Sequence, residues 1–513
     1  EIDLLWYLAE DDGTDVVALY IESVANGRRF MEALHACTER KPVVVIKAGR
    51  TMAGQRATLS HTGSMAGADR VYDAALKQCG ALRVRSVEAM FDFCKAFLSV
   101  PPGVGPRTAI VTNSGGPGVL AADRAEEAGL DVRQPSAALQ QELRSFLPGH
   151  CALQNPVDLT VEGTGAWYER ALTALLAEYD VAVAINVATP YLDSMDLARG
   201  VADAAARARS VGDQPTAVVA AFLPEEIVAE SVVRLQERGV ANFATGDRAV
   251  AALGLVSAYA PSGRPLPWCG PEGSPLGKDE LPASHAPLSG TDGTVLEHQA
   301  MAWLRENEMP VPRFRFAETL DGAVKAAAEL GYPVAMKVVS PEILHKSDVG
   351  GVVLDVKDDG EAVEAYRDLE RVGQGRDFRG VVIYPMVKGA VEVLLGLSTD
   401  PQFGPVVAFG VGGIYTEIWQ DVALRVAPID RRDAEDMIQE ISALPLLEGA
   451  RGEPARALDA LADVLTRFSR LPFRYPELRE VDLNPVFLFE EGQGLVVGDV
   501  RVIVEKATKE RDR

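Results

Sequence analysis

Over the first hundred residues, short continuous apolar runs alternate with stretches whose apolar positions recur every three to four residues. Val16–Ile21, Pro42–Lys47 and Leu82–Val84 have the length and composition of buried strands. Arg28–Cys37 places Phe30, Met31, Leu34 and Cys37 on one helical face, and Ala68–Gln78 and Ser86–Leu98 repeat that period. Such alternation predicts a parallel sheet covered on both faces, with functional residues at the C-terminal strand ends. Residues 104–260 repeat the scheme, with strands at Thr108–Thr112, Val181–Val187 and Thr216–Phe222. Residues 261–290 hold seven prolines and five glycines, the composition of a linker.

The pattern changes after the linker. Val295–Glu306 and Leu320–Leu330 predict helices, and Val334–Val339 and Val352–Val356 predict strands. Gly380–Met386 and Glu392–Gly396 read as a pair of strands, and Glu480–Val486 and Leu495–Val500 as two more that close the domain. Antiparallel strands mixed with helices make residues 291–513 an α+β domain rather than a third doubly wound one. The expected organisation is therefore α/β domains over 1–103 and 104–260, the linker, and the α+β domain.

Composition narrows the function. The formal net charge is −23, which sets the chain against nucleic-acid phosphates. Five scattered cysteines without a CxxC pair fit a reducing compartment and no structural zinc. No apolar run approaches the length of a membrane span, and the acidic start is not a signal peptide. The expected location is the cytoplasm. The first residue is not Met and the opening looks helical, as in a fragment or a processed form.

Several polar stretches interrupt the apolar scaffold. His61 lies in Ala57–Gly67 among small residues, where an imidazole could attack phosphorus and Gly63 and Gly67 admit a phosphate. His345 sits in a similar loop, Ser340–Gly351, next to Lys346 and Asp348. Glu22 could orient His61 and Asp348 could orient His345, or both carboxylates are solvated turn residues. Asn113-Ser-Gly-Gly116 follows a strand and opens a helix, a geometry for an anion or for tight packing. Lys337, in mid-strand, needs either a partner such as a phosphate or an edge position. Asp482 and Asn484 are two apart, hence on one strand face, and with Asp499 offer oxygen ligands for Mg²⁺ or a polar sheet surface. Gly410, Gly412 and Gly413 could approach phosphate or form a turn.

In family order, Tyr20-Ile-Glu22, Lys47-Ala-Gly-Arg50, Ser60-His-Thr-Gly-Ser64, Asn113-Ser-Gly-Gly116, Asn155-Pro-Val-Asp158, His345-Lys-Ser-Asp-Val-Gly-Gly351, Phe409-Gly-Val-Gly-Gly413 and Asp482-Leu-Asn-Pro485 resemble the NDP-forming acyl-CoA synthetases, relatives of succinyl-CoA synthetase. The resemblance spans the chain, and the ADP-forming acetyl-CoA synthetases are the nearest type. It implies two flavodoxin-like ligase domains followed by an ATP-grasp domain. It implies a reversible reaction in which acid, CoA and ATP give acyl-CoA, ADP and phosphate.

Residue by residue, the resemblance makes His61 the phosphoryl-accepting histidine, supported by Glu22, and His345 the second relay, with Asp348 beside it. It places nucleotide contacts at Lys337, Val382, Tyr384, Met386, Glu392, Gly412 and Gly413. Phosphate- or CoA-side loops fall at Gly63, Ser64, Asn113, Ser114, Gly115 and Gly116, and Mg²⁺ ligands at Asn484, Asp499 and Asp482. Two features depart from the family. The family usually has a CoA-binding domain ahead of the first ligase domain and this sequence begins after that point, so CoA binding is expected from a partner domain or subunit in trans, from a removed segment, or not at all. Tyr384-Pro-Met386 stands where relatives often carry Gln-Glu-Met, which leaves ADP against GDP open. Self-association is a further expectation. The rival class is an acyl-CoA- or nucleotide-sensing module of the kind fused to protein lysine acetyltransferases; retention of both histidines favours the enzyme.

Overall fold

The structure is a computed structural model that describes residues 1–51, 53, 69–101, 103–208, 215–259, 288, 293–343, 346–412 and 421–505. His61, Gly63, Ser64, His345 and Gly413 lie outside the described residues. The chain divides into two compact units. Unit 1 comprises Glu1–Ser23, Ala33–Ser64 and Cys79–Arg264; unit 2 comprises Val24–Glu32, Met65–Gln78 and Pro265–Arg513.

Unit 1 holds two parallel sheets. In the first, β1 (Val17–Ile21), β2 (Val43–Lys47) and β3 (Leu82–Val84) run side by side in that order. All five residues of β2 are buried, as a central strand between two helix layers demands. The expectation of a buried strand at Val16–Ile21 needs correction: β1 is an edge strand, and Tyr20 is 57% exposed. An apolar run cannot report by itself whether both faces of the strand will be covered.

The second sheet has the order β5-β4-β6-β7, with β4 at Thr108–Thr112, β5 at Val157–Asp158, β6 at Val181–Val187 and β7 at Ala217–Leu223. Val44, Ile46, Val84 and Phe93 share one apolar core with Ile110, Val183, Ile185 and Phe243, so the two sheets of unit 1 stabilise each other. Asn155 locks the edge of the second sheet. Its Oδ1 accepts from Ile110 N–H at 2.9 Å, and its Nδ2 donates to the Thr108 and Arg133 carbonyls at 2.9 and 3.2 Å.

Unit 2 is built on antiparallel strands. One sheet has the order β11-β10-β12-β9, with β9 at Arg315–Ala317, β10 at Val334–Val339, β11 at Val352–Val356 and β12 at Gly380–Pro385. The other joins β15 (Val422–Val426), β14 (Gly404–Val411), β13 (Val391–Asp400), β16 (Leu478–Leu488), β18 (Arg501–Val504) and β8 (Thr294–Val295), with β17 (Leu495–Val497) beside β16. This corrects two sequence expectations. β12 and β13 do not pair but belong to different sheets, because the turn between them carries the chain from one sheet to the other. Asp499 is not on a strand; it lies in the turn between β17 and β18.

Unit 2 also takes in two pieces from early in the chain. Tyr72 OH donates to Gln402 Oε1 at 3.0 Å and accepts from Val24 N–H at 2.9 Å, and Gln402 Nε2 donates to the Val24 carbonyl at 2.7 Å. The Gln78 amide pairs with both backbone groups of Val426, at 2.7 and 3.2 Å, as an edge-strand neighbour would. Among the described residues, no helix is long and apolar enough to cross a membrane.

Candidate active site

Among the described residues, a concentration of buried charge lies in unit 2. Lys337 projects from the middle of β10, whose six residues are all buried. Its Nζ donates to the Gly498 carbonyl at 2.8 Å and lies 3.3 Å from Asp499 Oδ2 and 3.5 Å from Glu297 Oε1. Lys346 Nζ completes the set, 2.9 Å from Glu297 Oε2 and 3.2 Å from Asp499 Oδ1. The result is a closed ring of two ammonium groups and two carboxylates, in which each charge faces two of opposite sign. Tyr384, on the neighbouring strand β12, donates its hydroxyl to Glu297 Oε1 at 2.6 Å, and its ring lies 5.0 Å from Lys337 Nζ.

Local backbone chemistry places these groups. Gly351 N–H donates to the Lys346 carbonyl at 2.7 Å, closing the turn that carries Lys346; a Cβ at Gly351 would sit 2.7 Å from Val338 Cγ1. Gly498 lies so close to the Phe487 ring that a Cβ would come within 2.4 Å of it. That approach, with Gly498 N–H donating to the Pro485 carbonyl at 2.8 Å, brings Asp499 beside Asn484.

Charge pairing tunes the ring. Burial alone would raise the carboxyl pKa of Asp499, but Lys337 and Lys346 outweigh it and hold it down at about 2. Burial likewise works against the charge on Lys346, and Glu297 and Asp499 overcome it, raising its pKa. Burial and the neighbouring Glu297 push the Tyr384 phenol well above its ordinary value, so it stays a donor.

Two cavities open beside the ring. One, of about 310 Å³, has Ala335, Leu354, Met386 and Phe487 among its apolar walls and Lys337, Tyr384, Glu392, Asn484 and Asp499 among its polar ones. The other, of about 190 Å³, is lined by Lys346, Ser347, Asp348, Asp482, Asn484, Asp499, Val500 and Arg501. Ser347, Asn484 and Asp499 border both. The mostly apolar cavity suits a flat heterocycle and the polar one suits charged groups.

Of the residues expected at the nucleotide, Lys337, Tyr384, Met386 and Glu392 line the larger cavity. Val382 does not; it is fully buried in the core. Gly412 N–H donates to the Glu392 carbonyl at 2.9 Å, and a Cβ there would meet the Val393 backbone at 3.1 Å, so close packing accounts for this glycine. The oxygen donors Asp482, Asn484 and Asp499 share the smaller cavity. Among the described residues no three His, Cys, Asp or Glu side chains cluster as a metal cage. One or two carboxylates and an amide oxygen around a polar cavity are nevertheless a donor set that fits Mg²⁺.

The sequence assigned no role to Glu297 or Lys346. Glu297 had a signal: it stands with Ala300, Met301 and Leu304 at i, i+3, i+4 and i+7, so a carboxylate occupies the core-facing row of the helix Glu297–Glu306. Lys346 lay inside a quoted motif, but nothing in spacing says that it would meet Asp499.

Unit 1 handles its polar residues differently. Glu22 follows β1 and is half-buried. Asn113 is buried at the end of β4; its Oδ1 accepts from Val187 N–H at 2.8 Å, and its Nδ2 donates to the Val187 carbonyl at 3.0 Å and Asn186 Oδ1 at 3.1 Å. Ser114 precedes the helix Gly115–Glu127 without capping it by its side chain, and Gly115 and Gly116 are exposed at its start.

These features define two cavities beside buried charge in one unit and parallel α/β sheets in the other, and comparison with known proteins gives the family. Residues 1–97 match the profile of the succinyl-CoA ligase-like flavodoxin domain, residues 108–267 that of the ligase-CoA domain, and residues 287–504 that of an ATP-grasp domain. An ADP-forming acetate–CoA ligase I of Archaeoglobus fulgidus is 37% identical over 510 residues, 98% of this chain and 72% of its own. An ADP-forming 4-hydroxybutyrate–CoA ligase of Nitrosopumilus maritimus is 30% identical over 516 residues, again 98% and 72%. The β subunit of an ADP-forming acetate–CoA ligase I of Pyrococcus furiosus is 45% identical over 214 residues, 41% of this chain and 91% of its own. The chain belongs to the NDP-forming acyl-CoA synthetase family.

Proposed function

We propose that this chain catalyses, in the cytoplasm, the reversible conversion of a small organic acid, CoA and ATP to acyl-CoA, ADP and phosphate, through phosphohistidine. The observation that carries the reading is the buried lysine pair at the junction of an apolar and a polar cavity. In the synthetic direction His345 takes the terminal phosphoryl group of ATP and ADP leaves. The phosphoryl group passes to His61, whose charged form Glu22 supports. The acid's carboxylate oxygen then attacks phosphorus, freeing the imidazole, and the CoA sulfur displaces phosphate from the acyl phosphate. Lys337 and Lys346 hold the polyphosphate, while the apolar walls with Tyr384 and Met386 receive the base. Asp482, Asn484 and Asp499 would hold Mg²⁺, which supplies neutralisation of phosphate charge. CoA supplies the thiol of the product, and the active assembly is oligomeric.

Incubation with labelled Mg·ATP tests this directly. The chain should acquire a phosphate that is stable to base and labile to acid. His345→Ala should abolish labelling from ATP. His61→Ala should leave His345 labelled but stop acyl-CoA formation, assayed with acetate, CoA and a CoA-binding domain of a relative. Unchanged labelling and turnover in both variants would defeat the proposal.

A further inference from the structure

We propose that unit 2 carries a further binding site, apart from the two cavities beside the charged ring, for a zwitterion of the α-amino acid type with an apolar side chain. The site is a cavity of about 640 Å³, bordered by Glu448, by Ala455–Ala460, and by Glu491, Gly492 and Gly494 in the turn between β16 and β17. It shares no lining residue with the other two cavities.

The inner wall is cationic. Arg456 is 8% exposed, and its backbone is fixed: its N–H donates to the Leu447 carbonyl at 2.8 Å, and its carbonyl accepts from Leu458 N–H at 2.8 Å. Its guanidinium is only partly used. Nη1 donates to the Gly389 carbonyl at 3.2 Å, Nη2 reaches Glu453 Oε2 at 3.3 Å, and Nε is buried without a partner among the described residues. Glu453 is a weak counter-charge, because its side chain is 70% exposed. A buried cation with an unused donor on the edge that chelates carboxylates lacks a partner. The helix Leu458–Phe468 begins at the same cavity, with Ala457 as its N-cap and no side chain bonded to its first turn. The amides of Asp459 and Ala460 stand at the second and third positions of that turn, where orphan N–H groups and the helix dipole favour an anion.

The outer wall is anionic. Glu448 and Glu491 are exposed, and Asp459, paired with Arg431 Nη2 at 2.6 Å, is 94% exposed. The two walls together select the ligand. A phosphate, with about two charges at neutral pH, would face three carboxylates for one arginine. A singly charged carboxylate matches the planar guanidinium edge and the helix end. An ammonium group beside it turns the rim carboxylates from repulsive to attractive. Ala455, Ala457, Leu458 and Ala460 then offer apolar surface to the rest of the molecule.

Ligand-observed NMR on the whole chain, with leucine as the probe, tests the site. Leucine should bind saturably. Ala457→Asp should weaken it about tenfold or more, because the new carboxylate caps the helix and takes the anion's place, while the melting temperature holds or rises. Arg456→Gln should weaken it by about tenfold as well. Isopentylamine, which lacks the carboxylate, should bind about tenfold or more weakly than leucine; isocaproate, which lacks the ammonium, only about two- to fivefold, since exposed rim charges are screened. The binding counted is the part that Ala457→Asp removes, which separates this cavity from an acid site elsewhere in the chain. Absence of leucine binding overturns the proposal. So does an Ala457→Asp variant that is folded and keeps its affinity, or isopentylamine or inorganic phosphate binding as tightly as leucine. The ligand comparison uses the unaltered protein and does not depend on the folding of Arg456→Gln.

Discussion

Asn113 in unit 1 and Lys337 in unit 2 are both buried polar residues in or just after a strand, yet they are satisfied in different ways. Asn113 spends its amide on the backbone of Val187 and on Asn186. Lys337 also donates to one backbone carbonyl, that of Gly498 at 2.8 Å, but its charge is matched by Glu297 and Asp499, two side chains that belong to other elements. A side chain bonded to backbone holds the fold and is costly to free. A buried charge matched by side-chain charges is left uncompensated when a partner is removed, so it accepts a ligand's opposite charge in that partner's place. The difference separates scaffold from site more sharply than burial does, because both residues are buried.

The largest effect should follow from Lys337→Met, which keeps volume and removes charge. Acyl-CoA formation should fall by about 10²–10³-fold or more in kcat/KM, the scale of losing one electrostatic contact to the transferring phosphate. Steady-state kinetics beside a melting curve would check it. Activity within tenfold of the unaltered chain, in a folded protein, would place Lys337 with the scaffold residues and dissolve the contrast.

Asn113→Ala should do the opposite. It leaves the part-buried Val187 amide and carbonyl without their side-chain partner, for about 1 kcal/mol of unit 1 stability. Urea unfolding followed by the intrinsic fluorescence of unit 1 would report it. Calorimetric binding of Mg·ADP should change less than about twofold, since Asn113 takes no part in the unit 2 cavities. A loss of turnover with unchanged stability would instead return Asn113 to the phosphate-side role its motif suggested.

The same contrast explains what could be seen in the chain beforehand. The α/β and α+β division was legible because runs such as Val181–Val187 and Val43–Lys47 have strand length and β-branched composition, although the same signal overstated the burial of Val16–Ile21. Lys337 was legible as a cation in such a run. The partition of β12 and β13 between two sheets was not, because strand pairing depends on long-range packing that an apolar pattern does not encode. Glu297 and Lys346 were missed for a related reason. They lie 49 positions apart by their numbering, and meet only through the turn that Gly351 closes. The histidine loops were legible as sequence alone; His61 and His345 lie outside the described residues.

The smallest expected effect concerns a ring in unit 2 that belongs to the scaffold despite neighbouring the site in sequence. His298 follows Glu297 and stacks on Phe316, with ring centres 3.9 Å apart and planes within 9°. Burial disfavours its cationic form and lowers its pKa below the ordinary 6.5, while Glu318 pulls weakly the other way. The folded state therefore takes up this proton less readily than the unfolded chain. The sign follows from that: its contribution to stability is present above about pH 6.5 and declines as the pH falls through the lowered value. The slope must stay below one proton, about 1.4 kcal/mol per pH unit, and the half-exposed ring reduces it further. Melting curves of unit 2 from pH 8 to pH 5 should show this decline, and His298→Gln should flatten part of it without altering Mg·ADP binding at pH 8. If the variant keeps the full slope and loses the nucleotide instead, His298 acts with Glu297 in the charged ring. The line between exchangeable charge and fixed scaffold would then have to be drawn one residue further along the helix.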